Sequence, residues 1–347
     1  MEAPRTYDEV AAELRVELKR VIGPERLRAL HERSFVRHAA VAVRQVAVGA
    51  LAVTAILCWP ERAWVWVPAS IAIGFVVFSF TVLLHEVVHR AVFEQPGSPW
   101  NRWLGHLYAA PSGLSQSQFT RWHLDHHQWL GTASRDPKRR ELTPKIVKRW
   151  YKALYLTPAL FPIYFRAARR AAAEYDPALR AAIARERRVA IALHLAVAAS
   201  LWWRLGFALA AKLHLLPVFV VFPVVFTLNR LGQHYDVEPS IPARWGTLMR
   251  KSPYLWDWLY LWSNHHLEHH YFPGVPFYRL TALRAALDPW FREHAVPERG
   301  YAELLWSWLG RNRSPHTNWA LEARAPGAGA PIPTFAASAP PRAVELR

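Results

Sequence analysis

The sequence predicts an all-α membrane protein with four transmembrane helices in two hairpins and a helical cap on the cytoplasmic side. Three observations lead to this fold class. Apolar residues form long runs without charges, basic residues are concentrated between those runs, and 52% of the 347 residues are hydrophobic. Charged residues make up only 20%, which excludes disorder for most of the chain.

The first predicted hairpin contains the most apolar segment of the chain. Residues 63–84 include no charged side chain, and about 20 apolar residues are enough to cross a bilayer as a helix. Residues 39–60 form the preceding span, with Arg44 extending toward the membrane surface. The Pro-Glu-Arg sequence at residues 60–62 predicts a tight turn between the two spans.

A second hairpin is predicted from two later apolar segments, residues 189–203 and 213–229, with Arg204 and Lys212 near the turn between them. A shorter apolar segment, residues 153–165, has basic residues on both sides and is too short to span a bilayer. Its composition predicts a helix at the membrane interface, and a buried core helix is the alternative.

The distribution of charge predicts the orientation in the membrane. Residues 85–187, between the hairpins, carry 17 Lys and Arg residues against 8 Asp and Glu residues. Basic loops stay on the cytoplasmic side, so both termini and this segment are expected there. The expected membrane is a bacterial inner membrane. The expected organisation is a basic cytoplasmic segment at 1–38, a membrane domain at 39–322 and a disordered Pro/Ala-rich tail at 323–347.

The composition excludes several functional classes. A single cysteine, Cys58, excludes a disulfide framework, a paired redox thiol and a metal site built from several thiolates. The net charge of +17 is typical of nucleic-acid-binding proteins, but here the basic residues flank apolar spans without any nucleic-acid-binding motif. We therefore expect the positive charge to face anionic lipid head groups, and we expect no nucleic-acid partner.

Histidine is unusually frequent, with 17 residues, and most of them fall into four groups. The groups lie in the sequences HEVVH, WHLDHH, GQHYD and NHHLEHH. The candidate metal ligands in them are His85 and His89; His123, His126 and His127; His234; and His266, His269 and His270. Spacing assigns no role to His106 or His265.

The spacing within these groups predicts metal binding. Residues three and four apart share one face of a helix, so each HxxHH sequence is expected to present three imidazoles on one stripe. One such group alone is compatible with ordinary surface histidines. Four groups on the same predicted side of a membrane indicate that the histidines bind metal together. Neutral imidazole binds zinc, copper, iron and nickel. Nine imidazoles exceed the needs of one ion, so two metal ions are expected.

Three segments of the chain resemble the membrane fatty acid desaturases and their hydroxylase and ketolase relatives. RWHLDHHQWLGTASRDP is similar to the second histidine box of that family, and NHHLEHHYFPGVPFYRL is similar to the third. NRWLGHLYAAPSGLS resembles the segment between the first two boxes. The resemblance extends from about residue 65 to residue 280.

The resemblance implies a four-span fold whose cytoplasmic cap holds a non-haem diiron centre, with two iron ions (Fe2+/Fe3+) as cofactors and O2 as co-substrate. The nine histidines named above occupy the positions of the family's iron ligands. The activity that the resemblance implies is removal of hydrogen from an unactivated carbon of a lipid or acyl substrate. Because the family's frequent fused electron carrier is not recognisable here, a separate electron donor such as ferredoxin with its reductase is expected.

Several residues next to the histidines are candidate partners for the ring nitrogens that face away from a metal. They are Glu86, Asp125, Asp236, Asn264 and Glu268. Some relatives place an asparagine four residues before the single histidine, where this chain has Arg230, and Asn229 is one residue further away. A basic loop predicts a docking site for an acidic electron donor or for lipid head groups, through Lys138, Arg139, Arg140, Lys145, Lys148 and Arg149.

A fatty-acyl desaturase that introduces a C=C bond is the first interpretation, because FPGVPFYRL is similar to the acyl-lipid desaturases. The alternative is a hydroxylase or ketolase that acts on a carotenoid, a sphingoid or another lipid with almost the same ligands. Residues 75–81 and 254–262 are the expected walls of the substrate channel. HEVVH also matches the HExxH signature of zinc proteases, an interpretation that leaves both HxxHH sequences and His234 without a role.

Overall fold

The computed structural model describes residues 7–95, 97–130, 135–235, 246–251 and 255–313. The predicted tail at 323–347 and Asp236 lie outside the described residues. Helices make up about 77% of the structure, as expected for an all-α protein. The strands within the described ranges, β1 (Leu248–Met249) and β2 (Glu298–Arg299), form one short parallel pair.

The helical part of the described ranges consists of α-helices and of a few tighter or wider helical turns. In chain order the α-helices are α1 (Tyr7–Ile22), α2 (Pro24–His31), α3 (Phe35–Cys58), α4 (Ala63–Val88), α5 (Pro99–Ala109), α6 (Gln116–Gln128), α7 (Arg149–Ala153), α8 (Leu160–Ala172), α9 (Pro177–Ala210), α10 (Phe222–His234), α11 (Leu255–Leu259), α12 (His266–Tyr271), α13 (Leu280–Glu293) and α14 (Tyr301–Leu305). Tighter or wider helical turns occupy Ala110–Ser112, Lys138–Leu142, Leu154–Leu156, Ala211–Val221, Phe277–Arg279 and Trp306–Gly310.

The first hairpin consists of α3 and α4, and its turn lies between Cys58 and Ala63, which confirms the predicted position. The hydroxyl of Ser34 accepts a hydrogen bond from the N–H of Arg37 and so satisfies a free donor at the start of α3. Both helices are long and apolar enough to cross a membrane. α4 is the more deeply buried of the two, because α5, α6 and α10 also pack against it.

A glycine in α4 allows this helix to approach the second hairpin closely. A Cβ atom at Gly74 would lie only 2.3 Å from Cγ1 of Val221, far inside van der Waals contact. The missing side chain therefore lets the backbone of α4 pack against the Ala211–Val221 segment, as small residues commonly do between membrane helices.

A third apolar run, Pro177–His234, is 58 residues long and contains α9, the Ala211–Val221 segment and α10. This run is interrupted at Gly206, where φ is 81°. Nδ1 of His194 lies 3.4 Å from Nε2 of His214, although the two residues are 20 positions apart. A straight helix would separate them by about 30 Å. The chain therefore reverses direction within the region where the sequence predicts the turn of the second hairpin.

Large apolar side chains are exposed along α3 and α9. Val36 and Val43 of α3 are 76% and 66% exposed, and Trp203 of α9 is 82% exposed. Soluble proteins rarely leave an apolar surface of this extent uncovered, whereas the acyl chains of a bilayer would cover it. Together with the three apolar runs, this surface identifies a membrane protein.

Residues 153–165 do not form the single helix that the sequence predicts. α7 ends at Ala153 and α8 begins only at Leu160. The reason is Pro158, which disfavours the helical conformation at the residue before it. Tyr155 and Leu160 are buried in the main core, whereas Pro158 and Pro162 are exposed, so the segment is only partly buried. Its position at the membrane interface stays a prediction.

The basic N-terminal segment contributes two helices that pack against the rest of the protein. α1 contacts α13, where the indole N–H of Trp290 donates a hydrogen bond to Glu17. Leu14, Leu18 and Leu30 are buried in the main hydrophobic core. The same core includes side chains from α4, α10 and α12, which are three of the helices that carry the histidine groups.

Candidate metal centre

Four elements of the fold bring the nine histidines together. The contributions are His85 and His89 from the end of α4, His123, His126 and His127 from α6, His234 from the end of α10, and His266, His269 and His270 from α12. All nine side chains are buried or half-buried. The assembly depends on contacts between α4, α6, α10 and α12, which are distant from one another in sequence.

The nine imidazoles divide into two groups, within each of which the potential ligand nitrogens lie within 4.8 Å of one another. The first group contains His85, His89, His123, His127 and His269. The second group contains His126, His234, His266 and His270. The groups are adjacent, since the ring centroids of His127 and His270 are 4.1 Å apart.

Each HxxHH sequence contributes to both groups, which corrects the expectation of one stripe per sequence. In α6, His123 and His127 belong to the first group, and His126 belongs to the second. Consecutive helix residues point about 100° apart, so His126 and His127 necessarily face different directions. The same rule separates the three histidines of α12, of which only His269 joins the first group.

The ring nitrogens of the second group are too close together for ordinary hydrogen bonding alone. Nε2 of His234 lies 3.0 Å from Nε2 of His126, 2.9 Å from that of His266 and 3.1 Å from that of His270. One ring nitrogen offers one hydrogen or one lone pair, so it cannot bond to three others at once. A metal bound to imidazoles at about 2.0–2.1 Å would bring its ligand nitrogens to roughly 3 Å from one another. This donor set therefore fits a metal ion.

The first group shows the same convergence of like atoms. Nε2 of His89 lies 2.7 Å from Nε2 of His123, and Nε2 of His127 lies 3.2 Å from Nε2 of His269. The ring of His85 packs within 4.4 Å of the rings of His123 and His269, measured between centroids. This set of imidazoles, without a thiolate or a carboxylate among the ligand candidates, also fits a metal of intermediate softness such as iron.

Burial keeps the imidazoles in the neutral form that binds metals. It lowers the pKa of His126 to about 4, although Asp136 acts in the opposite direction. Burial, followed by the charges of neighbouring histidines, lowers the pKa of the other histidines of α6 and α12 well below the ordinary value, namely His123, His127, His266, His269 and His270. Metal binding therefore requires no prior loss of a proton from these side chains at neutral pH.

Two buried carboxylates contact histidines of the groups through the ring nitrogen that faces away. Oδ1 of Asp136 lies 2.9 Å from Nδ1 of His126. Oε1 of Glu86 lies 3.2 Å from Nδ1 of His85, while its Oε2 accepts a hydrogen bond from the N–H of Phe277. A carboxylate that accepts Nδ1–H leaves the Nε2 lone pair for a metal. Glu86 has the contact that the sequence predicts, whereas the only sequence signal for Asp136 is an Asp-Pro pair ten residues after His126.

Among the described residues, the side chains of Asp125 and Asn229 form hydrogen bonds with residues that belong to neither histidine group. Asp125 accepts a hydrogen bond from Nε of Arg121 at 2.8 Å, which corrects its prediction as a histidine partner. The i,i+4 spacing places both residues on the outer face of α6. The side chain of Asn229 bonds to Ser263 and Gln233 at 2.8 and 2.9 Å.

Asn264, His265 and Glu268 belong to a buried charged network beside α12. His265 lies 3.1 Å from Asp257 and 3.3 Å from Glu268. Burial opposes protonation, but the hydrogen bonds and charges of these carboxylates raise the pKa of His265 to about 9. Glu268 also accepts a hydrogen bond from Arg284, and Asn264 donates one to Asp257. His265 thus contacts two carboxylates and belongs to neither histidine group, and the contacts of Asn264 and Glu268 differ from the predicted contacts with metal-binding histidines.

A cavity lies against the histidines. This central cavity is lined by His85, His123 and His269 of the first group and by His266 of the second. Its remaining walls are mainly apolar and include Phe78, Val82, Leu114, Phe119, Phe226, Leu261 and Phe277. Apolar walls of this kind suit an alkyl chain. Both segments predicted to form the substrate channel, residues 75–81 and 254–262, contribute side chains to the cavity walls. Residue 254 lies outside the described residues.

Residues 61–302 match the family model for fatty acid desaturases. The chain belongs to the fatty acid desaturase family. The matching segment contains both histidine groups and the lining of the central cavity. A desaturase-family chain with these helices is a membrane-bound oxidoreductase of lipid metabolism.

Several curated relatives of this desaturase-family chain carry sphingolipid desaturase names. The sphingolipid delta(4)-desaturase/C4-monooxygenase DES2 of Homo sapiens is 26% identical over 272 residues, which cover 73% of this chain and 76% of that protein. The protein of the same name from Mus musculus is 22% identical over 281 residues, covering 75% and 78%. The sphingolipid delta(4)-desaturase DES1 of Homo sapiens is 39% identical over 71 residues, covering 20% and 22%.

The substitution Asp136→Asn is expected to weaken metal binding by the second group. Asparagine has nearly the shape of aspartate but lacks the charge that orients His126 and raises its basicity. Partners of this kind contribute about 10- to 100-fold to metal affinity, and we expect a loss of this size in iron affinity, measured by competition with a chelator. Asp125→Asn is the matched control, since Asp125 faces outward from α6. An equal effect of both substitutions would contradict this role for Asp136.

Proposed function

We propose that this chain is a dioxygen-dependent lipid desaturase with a non-haem diiron centre, and that its substrate is a fatty acyl chain. The observation that carries the proposal is the position of two groups of buried or half-buried imidazoles beside a mainly apolar cavity. The first group would hold one iron ion and the second group the other, with the nine histidines as ligands. Two iron ions held there would supply the oxidising power, drawn from dioxygen, that breaks an unactivated C–H bond.

The residues of the chain would orient the ligands and position the substrate. Asp136 and Glu86 hold the rings of His126 and His85 through Nδ1, so that each Nε2 is directed toward its group. The apolar walls of the central cavity would hold the alkyl chain beside the histidines and exclude water. Because hydrogen removal requires the reacting carbon at one defined place, these walls would determine the position of the double bond.

The surroundings of Glu86 favour the desaturase over a zinc protease. In a protease with the HExxH signature, the glutamate acts as a general base toward water. Glu86 is 3% exposed, and its two oxygens contact Nδ1 of His85 and the N–H of Phe277. The two histidines of HEVVH also belong to a group of five rather than to a site of three.

We infer that the desaturase has four membrane crossings, all within residues 39–322, with both termini on the cytoplasmic side. The support is the chain reversal at Gly206 and the excess of basic residues between the hairpins. In a Cys58→Ser background, we expect Glu61→Cys and Lys148→Cys to react with a membrane-impermeant maleimide from opposite sides. Labelling of both cysteines from one side would contradict this topology.

Electrons would come from a separate donor protein such as ferredoxin with its reductase. Lys145, Lys148 and Arg149 are exposed in the segment between the hairpins, and their charge is complementary to that of an acidic donor. Such complementarity increases the rate of encounter mainly at low ionic strength. The rate of reduction by an acidic donor would therefore fall as salt is added.

Hydroxylation is the second candidate reaction, since two similar proteins carry the words C4-monooxygenase in their names. Both reactions begin with removal of one hydrogen atom from the chain. Desaturation then removes a hydrogen from the neighbouring carbon, whereas hydroxylation adds an oxygen atom to the first carbon. The ligand set is the same in both cases, so the outcome would depend on how the cavity holds the second carbon.

Expression in a host with a simple lipid profile, together with the donor proteins, tests the proposed function. Mass spectrometry of the extracted lipids is expected to show acyl chains two hydrogens lighter with the unaltered protein and not with His127→Ala. His106→Ala, which changes an exposed histidine outside both groups, serves as the control and retains activity. Chains one oxygen heavier would select the hydroxylase. Unchanged lipids in a host that contains acyl and sphingoid substrates would refute both reactions.

A further inference from the structure

A second cavity lies beside the central cavity, where α8, α10 and the turn at Ala110–Ser112 meet. The two cavities share a wall, because three side chains line both of them, namely Leu114, Tyr164 and Phe226. The remaining lining of the second cavity consists of Ser112, Gly113, Leu160, Phe161, Phe165 and Phe222. Small rotations of the shared side chains would connect the second cavity with the space beside the histidines.

The walls of the second cavity are almost entirely apolar. Aromatic rings form much of them, and the ring of Phe222 lies 6.1 Å from that of Phe161 and 5.6 Å from that of Phe226, measured between centroids. The hydroxyl of Ser112 donates a hydrogen bond to the carbonyl of Ala109. An ordered water molecule needs about two to four polar partners, which apolar walls do not supply. We therefore expect the second cavity to be dry and to accept a small apolar molecule.

The second cavity is also small. It holds about 20 Å³ for the centre of a water-sized molecule, and the central cavity holds about 90 Å³ on the same scale. About 10–15 Å³ on this scale is enough for one water molecule. The second cavity therefore suits a molecule of a few atoms, and it is too small for a long part of an alkyl chain.

The second cavity lies against the second hairpin. Phe222 and Phe226 belong to α10, the last part of the apolar run Pro177–His234. Phe161 packs against Phe219 of the same run, with 5.1 Å between the ring centroids. Dioxygen is apolar and dissolves better in the hydrocarbon of a bilayer than in water. A small apolar cavity between this hairpin and the histidines would therefore receive dioxygen from the membrane rather than from the aqueous solution.

We propose that the second cavity is a binding site for dioxygen on its way from the bilayer to the histidines, with Leu114, Tyr164 and Phe226 as the side chains that it passes. This inference rests on the proposed function, which requires dioxygen, and it adds the path by which dioxygen arrives. The alkyl chain would occupy the central cavity alone, so dioxygen could reach the histidines while the lipid is bound.

Xenon is the probe for this site, because it is apolar and small and scatters X-rays strongly. Dry apolar cavities in proteins bind xenon. In crystals of the full-length protein under xenon pressure, we expect a xenon atom enclosed by Phe161, Phe165 and Phe222. A second cavity that contains no xenon under these conditions would overturn the inference.

The substitution Phe222→Trp is expected to fill the second cavity. A misfit of about one methylene in an apolar pocket changes specificity about tenfold or more, so we expect kcat/KM for dioxygen to fall by about this factor while KM for the lipid is unchanged. Leu160→Phe fills the same cavity from α8 and is expected to have the same effect. Phe219→Trp is the matched control, since Phe219 contacts Phe161 but is not in the described lining of either cavity. An unchanged kcat/KM for dioxygen in both filling variants would contradict the route.

The preferred length of the acyl chain separates dioxygen from the other possible occupant, the methyl end of the alkyl chain. A preference for shorter chains in Phe222→Trp, with an unchanged dependence on dioxygen, would overturn the inference in favour of the alkyl chain. The inference and the proposed function can fail separately, since xenon binding requires neither iron nor turnover. A protein that holds xenon in the second cavity but forms no product would refute only the function, and an active protein whose second cavity excludes xenon would refute only the inference.

Discussion

His234→Ala is expected to abolish turnover and to remove about one of two bound iron ions. The Nε2 atom of His234 lies 2.9 to 3.1 Å from those of His126, His266 and His270, so its loss opens the centre of the second group. Three imidazoles would remain, and the first group would keep all five of its histidines. Iron per protein, measured by mass spectrometry after purification with added iron, gives the readout.

His106→Ala and His194→Ala are the controls for this substitution. His106 is exposed on α5, and His194 bonds to the carbonyl of Ala110 and to His214, outside both groups. Both variants are expected to retain iron and activity. Full iron content together with full turnover in His234→Ala would refute its assignment as a ligand. Loss of iron in His106→Ala would show that the assay reports general damage instead.

Arg284→Met is expected to lower the free energy of unfolding by about 3–5 kcal/mol, the usual cost of leaving a buried charge without its partner. Arg284 is 1% exposed, and its Nη1 donates a hydrogen bond to Glu268, which is also 1% exposed. It also donates to Asp288 and Glu298, at 2.8 and 2.6 Å. Methionine fills much of the same volume but leaves the carboxylate of Glu268 buried with less compensation.

Thermal unfolding in detergent, followed together with iron release, measures this effect. Because Glu268 lies in α12 between His266 and His269, we expect iron to be released at a lower temperature in the variant. Arg279→Met is the matched control, since Arg279 pairs with Glu32, whose side chain is 65% exposed. Exposed pairs contribute about 0–1 kcal/mol. A similar shift for both variants would mean that the buried network contributes little.

Elements that depend on local composition are predictable from the sequence. The turn of the first hairpin lies at the predicted residues. A proline and two charged residues follow one another there and interrupt the apolar sequence, which is typical of a turn between two spans. The chain reverses direction near Gly206, between the two later apolar segments. The prediction for 153–165 was wrong in its boundaries, because hydropathy does not register the conformational restriction that Pro158 imposes on its neighbour.

The histidines themselves were also predictable, since spacing of three and four residues places side chains on neighbouring faces of a helix. Their division into two groups was not. The 100° between His126 and His127 directs them to different neighbours, and those neighbours come from α4, α10 and α12. Asp136 lies in the segment that resembles the second histidine box, but its contact with His126 depends on what lies beside it after folding.

The sequence by itself determined that this protein is helical, that it is a membrane protein and that its histidines form a candidate metal site, because hydropathy and helical spacing are properties of short segments. Only the tertiary structure decided which histidines share a group, that His265 lies between Asp257 and Glu268, and that Lys138 lines the central cavity. The physical reason is that coordination and charge pairing act over a few ångströms between residues that are far apart in the sequence, as in the pair of Arg279 with Glu32, which are 247 positions apart. Packing of distant helices creates these distances, and no local pattern encodes them.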